Sequence, residues 1–104
     1  MNPVIDLLRR TRKRIESPDR WCQGFFGMSK TGKRVIPESA DAVRWCLMGA
    51  LMAETGDDMA TYRRAENALF SIASMAIVLF NDRHTHAEVL ALIDRTIEML
   101  EKQE

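Results

Sequence analysis

"SADAVRWCLMGALMAETG", residues 39–56, decides how the chain is read, because its apolar residues leave no face free for water. At about 100° per residue, Val43, Cys46, Leu47 and Ala50 form one apolar stripe of a helix, and Trp45, Met48 and Met52 form a second on the far side. Ser39 is placed to cap such a helix, Asp41 falls in its first turn, and Gly56 stops it after Thr55. Only Asp41, Arg44 and Glu54 interrupt the apolar character between the caps. A helix apolar on two sides needs cover on both, so this segment is expected at the centre of a small helical domain.

Outward from it, the elements follow from local signals. Asn2 as N-cap with Pro3 behind it opens a first helix, on which Val4, Ile5, Leu8, Thr11 and Ile15 recur at helical spacing until Ser17 and Pro18 end it. Residues 21–37 lack helical period, and Phe25 and Phe26 on one side of "SKTGK" with Val35 and Ile36 on the other predict a short β-hairpin turning near Gly32. Either that hairpin, through its two phenylalanines, covers the Trp45, Met48 and Met52 stripe, or the stripe stays partly exposed and docks a second copy or a target. A third helix is predicted from Asp57 or Asp58 to Phe80, its second half "SIASMAIVLF" apolar on almost every side and so expected to be buried all round. Its Ala65, Ala68, Ala73 and Ala76 are expected to face Gly49, Ala50 and Ala53. A capping box of Thr85 and Glu88 starts the last helix, with Val89, Leu92, Ile93, Thr96, Ile97 and Leu100 inward. The prediction is a mainly α single domain over residues 1–104: four helices in a bundle-like arrangement, with one hairpin between the first two.

A chain of 104 residues supports one modest core. The formal net charge is zero, yet residues 1–45 carry ten Lys/Arg and five Asp/Glu, and residues 46–104 carry five and ten. The molecule is therefore an electrical dipole unless folding sets the two halves against each other. No apolar run approaches the roughly 18 residues of a membrane span, and the N-terminal stretch has no signal-peptide core, so a cytoplasmic protein away from membranes is expected. Cys22 and Cys46 are too few for a disulfide framework and read as small buried thiols.

Four stretches or residue sets resemble known chemistries. Gly27, four residues, Gly32 and Lys33 reproduce part of a phosphate-binding loop, but Arg34 stands where a Ser or Thr must hold magnesium and "VIP" follows where a helix must begin. No nucleotide is expected there. Cys22, Cys46, His84 and His86 are zinc-ligand types without the paired spacing of a zinc site, so no metal or other cofactor is expected. A Cys/His nucleophilic pair lacks a third orienting residue in the spacing. The run "RRTRKR" lies opposite the apolar stripe of the first helix with no interleaved aromatic, which reads as a solvated face rather than a nucleic-acid surface.

"RWCQGFFG", then "ADAVRWCLMGAL", then "FND" followed by "THAEVLALIDRTI", resembles a family of small uncharacterised bacterial and phage proteins classed as a domain of unknown function. The resemblance runs over nearly the whole chain and rests on Trp21, Cys22 and Gly24, on Ala42, Arg44, Trp45, Cys46, Gly49, Ala50 and Leu51, and on Asn81, Asp82, Thr85 and Val89. It implies no established activity; the occurrence in phages implies a small accessory protein that binds and blocks a host factor. The function expected is non-enzymatic binding of a protein partner or a second copy, with Trp45, Met48 and Met52 as its face. An ion pair or shared network between Arg44 and Asp82 is expected to join the second helix to the turn after the third. The alternative is a small enzyme, or a small-ligand or metal binder, using the corner at residues 81–86, where Asn81, Asp82, His84 and His86 cluster.

Overall fold

A computed structural model describes residues 2–104. Along the chain the elements are α1 (Pro3–Arg14), a 3-10 turn (Pro18–Arg20), strands β1 (Gly27–Ser29), β2 (Arg34–Val35) and β3 (Ala42–Trp45), then α2 (Leu47–Thr55), α3 (Met59–Ala73), α4 (Ile77–Arg83) and α5 (His86–Lys102). The described residues thus form five α-helices and a three-stranded antiparallel sheet of order β2-β1-β3, where four helices and a hairpin were expected.

The core is built as the inward stripes demand. α1 lies against α2, α3 and α5 and buries Leu7, Leu8 and Ile15 almost completely, while α5 contributes Val89, Leu92 and Ile93. The Asn2 side chain accepts from the N–H groups of Val4 and Ile5, with Pro3 in the first turn, where its missing N–H costs nothing. At α5, Thr85 and Glu88 form the reciprocal capping box. Leu47, Leu51 and Leu69 complete the centre from α2 and α3.

The charge asymmetry of the sequence is spent inside the fold. Arg9 reaches Glu101 at 2.7 Å, Arg12 reaches Asp94 at 2.6 Å, and Arg14 reaches Glu54 at 2.6 Å, so the basic run of α1 is laced to the acidic half of the chain. Arg10 joins Asp6 and Glu54. The Arg14 guanidinium also lies 4.6 Å from the Trp45 ring centroid, which pins the end of α1 to β3.

Two expectations are corrected. Residues 42–45 are not the first turn of the central helix but the strand β3, paired to β1 with Gly27 opposite Trp45, Met28 opposite Arg44 and Ser29 opposite Ala42. Val43 is the extra residue of a bulge, and the strand buries Ala42 and Trp45 while exposing Val43 and Arg44. The helix begins only after Cys46, whose sulfur accepts the Gly49 N–H at 3.3 Å as an N-cap. Trp45 therefore does not share a helical stripe with Met48 and Met52; it is buried, and its indole donates to the Pro37 carbonyl at 2.9 Å. The strands of the hairpin also sit further along than the apolar pairs suggested, leaving Phe25, Phe26 and Ile36 outside them.

The second correction concerns the long third helix. It ends at Ala73 because Ser74 turns left-handed, at φ 59° and ψ 25°, and donates its N–H to the Phe70 carbonyl at 2.8 Å. The chain restarts as the separate short helix α4. The apolar run is consequently not buried all round: Leu79 is 44% exposed, Ala76 is exposed, and so is Phe70 just before the run. Nor does Gly49 meet an alanine face. A Cβ added there would stand 1.8 Å from the Phe26 carbonyl oxygen, so the glycine lets α2 close on the backbone that leads into β1.

Candidate functional site

The corner at residues 81–86 is a structural junction. Asn81 is fully buried on α4, and its side chain is saturated: Oδ1 accepts from the Trp21 indole at 2.6 Å and from the Leu47 N–H at 3.0 Å, and Nδ2 donates to the Cys22 carbonyl and to Asp82 Oδ1, both at 3.1 Å. One amide thereby ties together the segment before β1, the first turn of α2 and α4. An orphan amide at the α2 N-terminus is satisfied in the process. Gln23 caps the other end of α4, donating to the carbonyls of Asn81 at 3.1 Å and His84 at 2.9 Å.

The two histidines are held in the same way. His84 stacks on Phe80 with ring centroids 3.8 Å apart, and its Nδ1 lies 2.8 Å from the Phe80 carbonyl oxygen. His86 places Nε2 2.6 Å from the Ile15 carbonyl oxygen and its ring against Trp21. The geometry makes each ring nitrogen facing a carbonyl the donor. Burial pushes the Cys22 thiol up to about 11, with Cys46 nearby adding to the effect, and burial raises the Cys46 thiol as well. Both stay protonated at neutral pH, the opposite of what an attacking thiolate requires. Among the described residues no three His, Cys, Asp or Glu side chains gather as a metal site would need. Arg44 and Asp82 form no ion pair, contrary to expectation: both are exposed, and Arg44 projects from β3 on the side of Asp19, Arg20 and Lys30.

Beside this junction lies an open groove of about 850 Å³. Residues 24–26 form one wall, residues 34–38 another, Cys46 and Met52 line it from the start and body of α2, and Val78 and Asp82 line it from α4. The surface is mostly apolar, through Phe25, Phe26, Val35, Ile36, Pro37, Met52 and Val78. Phe26 is 45% and Ile36 69% exposed, so these side chains project without cover. The polar groups belong to Arg34, Glu38 and Asp82, and the Arg34 guanidinium lies 5.0 Å from the Phe25 ring centroid.

The junction draws on all three stretches singled out in the sequence, through Trp21 and Cys22, Leu47, and Asn81 and Asp82, whereas the groove also takes residues 34–38, Met52 and Val78 from outside them. The chain belongs to a family of unknown function, DUF6197, whose model matches residues 1–99. No curated protein and no solved structure matches it significantly.

Of the residues singled out as a site, Met52 and Asp82 line the groove. Met48 packs against the core instead and accepts the Tyr62 hydroxyl at 3.0 Å. Trp45 and Asn81 are internal, Arg44 faces away, and His84 and His86 are tied to carbonyls. Phe25 and Phe26 were legible as cover for a helix and Ile36 as part of a hairpin strand, and it is the exposure of Phe26 and Ile36 that makes this region a surface. The phosphate-loop resemblance dissolves in the same region: Gly32 and Lys33 belong to the β1–β2 turn, where the Ser29 N–H reaches the Lys33 carbonyl at 2.8 Å, and Arg34 starts a strand rather than a helix.

Proposed function

We propose that this is a non-enzymatic binding protein whose groove takes an apolar segment of another protein. The observation that carries the reading is an uncovered apolar channel set beside a corner whose Asn81, His84 and His86 side chains are tied to groups of the fold. Recognition of a protein segment uses apolar anchors in such a channel with polar groups at its rim, whereas chemistry needs convergent, reactive polar groups. The alternative of a small enzyme or ligand site at residues 81–86 is weakened by the carbonyl-bound histidines and the protonated thiols. The partner we favour is a host protein that the chain binds and blocks in the manner of a phage accessory protein; a second copy of the chain is the other protein that would fit. Photocrosslinking tests this. A photoreactive residue at Ile36 in host cells should yield an adduct with a polypeptide, and Phe26→Ser should abolish it. A control crosslinker at Arg95, on the exposed face of α5, should not yield the adduct. Equal labelling from both positions, or none from Ile36, overturns the reading, and an adduct of doubled mass identifies self-association.

A further inference from the structure

We propose that the groove selects apolar segments that carry a lysine or arginine beside the apolar anchor; this rests on the reading of the groove as a protein-binding site. Its two carboxylates come from different walls, Glu38 from the segment after β2 and Asp82 from α4. Neither belongs to an ion pair among the described residues, although seven such pairs form elsewhere in the fold. Asp82 uses Oδ1 for the Gly24 N–H at 2.9 Å and for the Asn81 amide, which orients the carboxylate and leaves Oδ2 without a hydrogen-bond partner among the described residues. Glu38 is exposed and makes no side-chain hydrogen bond among the described residues.

Arg34 is the single cation of the lining, and it lies over the Phe25 ring rather than against either acid. The lining thus carries two unpaired negative charges against one positive, in a channel whose apolar walls lower the local dielectric. Lys33 and Arg83 neighbour lining residues in sequence but do not line the groove. A bound acidic segment would set like charges together, and a bound uncharged one would leave both carboxylates facing covered apolar surface. A cationic side chain beside the anchor removes that cost, and specificity follows from the difference. The volume exceeds what one side chain fills, which suits two or three consecutive apolar residues of a partner with the basic residue at the groove's edge.

The experiment is a selection of random dodecapeptides on the full immobilised chain, with the double variant Phe26→Ser, Ile36→Ser as the groove-impaired control. Peptides retained by the natural chain and lost by the control should combine apolar residues with an excess of Lys and Arg over Asp and Glu. For the strongest of them, measured by fluorescence anisotropy, Glu38→Gln and Asp82→Asn should each weaken binding about threefold, as a partly exposed ion pair does. Raising the salt should erase that difference. Glu38→Gln breaks no hydrogen bond of the fold, so its result does not depend on folding, and Asp82→Asn keeps an oxygen for Gly24. Groove-dependent peptides without a basic excess, or with affinities unchanged in both variants, overturn the charge selection while leaving the binding reading intact. If no retained peptide depends on Phe26 and Ile36, the binding reading fails and this inference with it.

Discussion

Asn81 and Asp82 are neighbours on α4 and face opposite situations. Every donor and acceptor of the Asn81 side chain is used within the fold, in full burial, whereas Asp82 is exposed, commits one oxygen to the fold and lines an uncovered apolar channel. The same contrast separates α1, whose Arg9, Arg10, Arg12 and Arg14 all reach acids of this chain, from the groove, whose Glu38 and Asp82 reach no cation among the described residues. The arginines of α1 are thus tied into the fold, while the groove leaves charge and apolar surface open to solvent.

The sharpest way to break this comparison is Asn81→Ala. It strips partners from the Trp21 indole, the Leu47 N–H and the Cys22 carbonyl at once, so destabilisation of at least about 3 kcal/mol is expected in urea unfolding. A loss below about 1 kcal/mol would mean that water takes over the amide's role and that the junction is not structural. Next comes Gly49→Ala. The added methyl collides with the Phe26 backbone, not with a flexible side chain, so α2 and the groove wall must part, at a cost of about 1–3 kcal/mol and with weaker binding of any groove peptide. Unchanged melting together with unchanged peptide affinity would show that the wall is not set by that contact.

Thr85→Ala removes one half of the α5 capping box and should cost about 1 kcal/mol. The partner carboxylate also makes this corner sensitive to acid. The Thr85 N–H, followed by its side chain, holds Glu88 below its ordinary range. Because the folded value is the lower one, the stabilisation is present above the ordinary carboxylate range and is lost as the pH falls through the depressed value. Glu88→Gln should therefore flatten the acid limb of a plot of melting temperature against pH, and an unaltered limb would assign it to other carboxylates. The smallest effect belongs to the groove. Ile36→Ser, at a side chain 69% exposed, should shift stability by no more than about 0.5 kcal/mol while reducing peptide capture. If it destabilises as Thr85→Ala does, Ile36 is part of the core's support and the division between folding surface and binding surface fails.

What the sequence determined by itself is what short-range physics controls. Asn2 before Pro3, and Thr85 with Glu88, name their helix starts because a cap is satisfied within four residues, and the stripes Val4, Ile5, Leu8 and Val89, Leu92, Ile93 face inward because period alone places them. Asn81, Asp82 and Met52 were legible as residues of interest, yet their separate roles were not, since the partners of Asn81 stand 34 and about 60 positions away in the chain. Only the tertiary structure decided that residues 42–45 pair with β1. Apolar residues at positions 43, 45, 46 and 47 satisfy a helical stripe as readily as a strand, and the hydrogen bonds that choose between them come from residues 27–29. The break at Ser74 was equally hidden, because a left-handed serine carries no signal comparable to glycine or proline. The groove was the least legible feature of all: its walls come from four separated segments, and an apolar side chain reads as core until packing shows that nothing in the chain covers it.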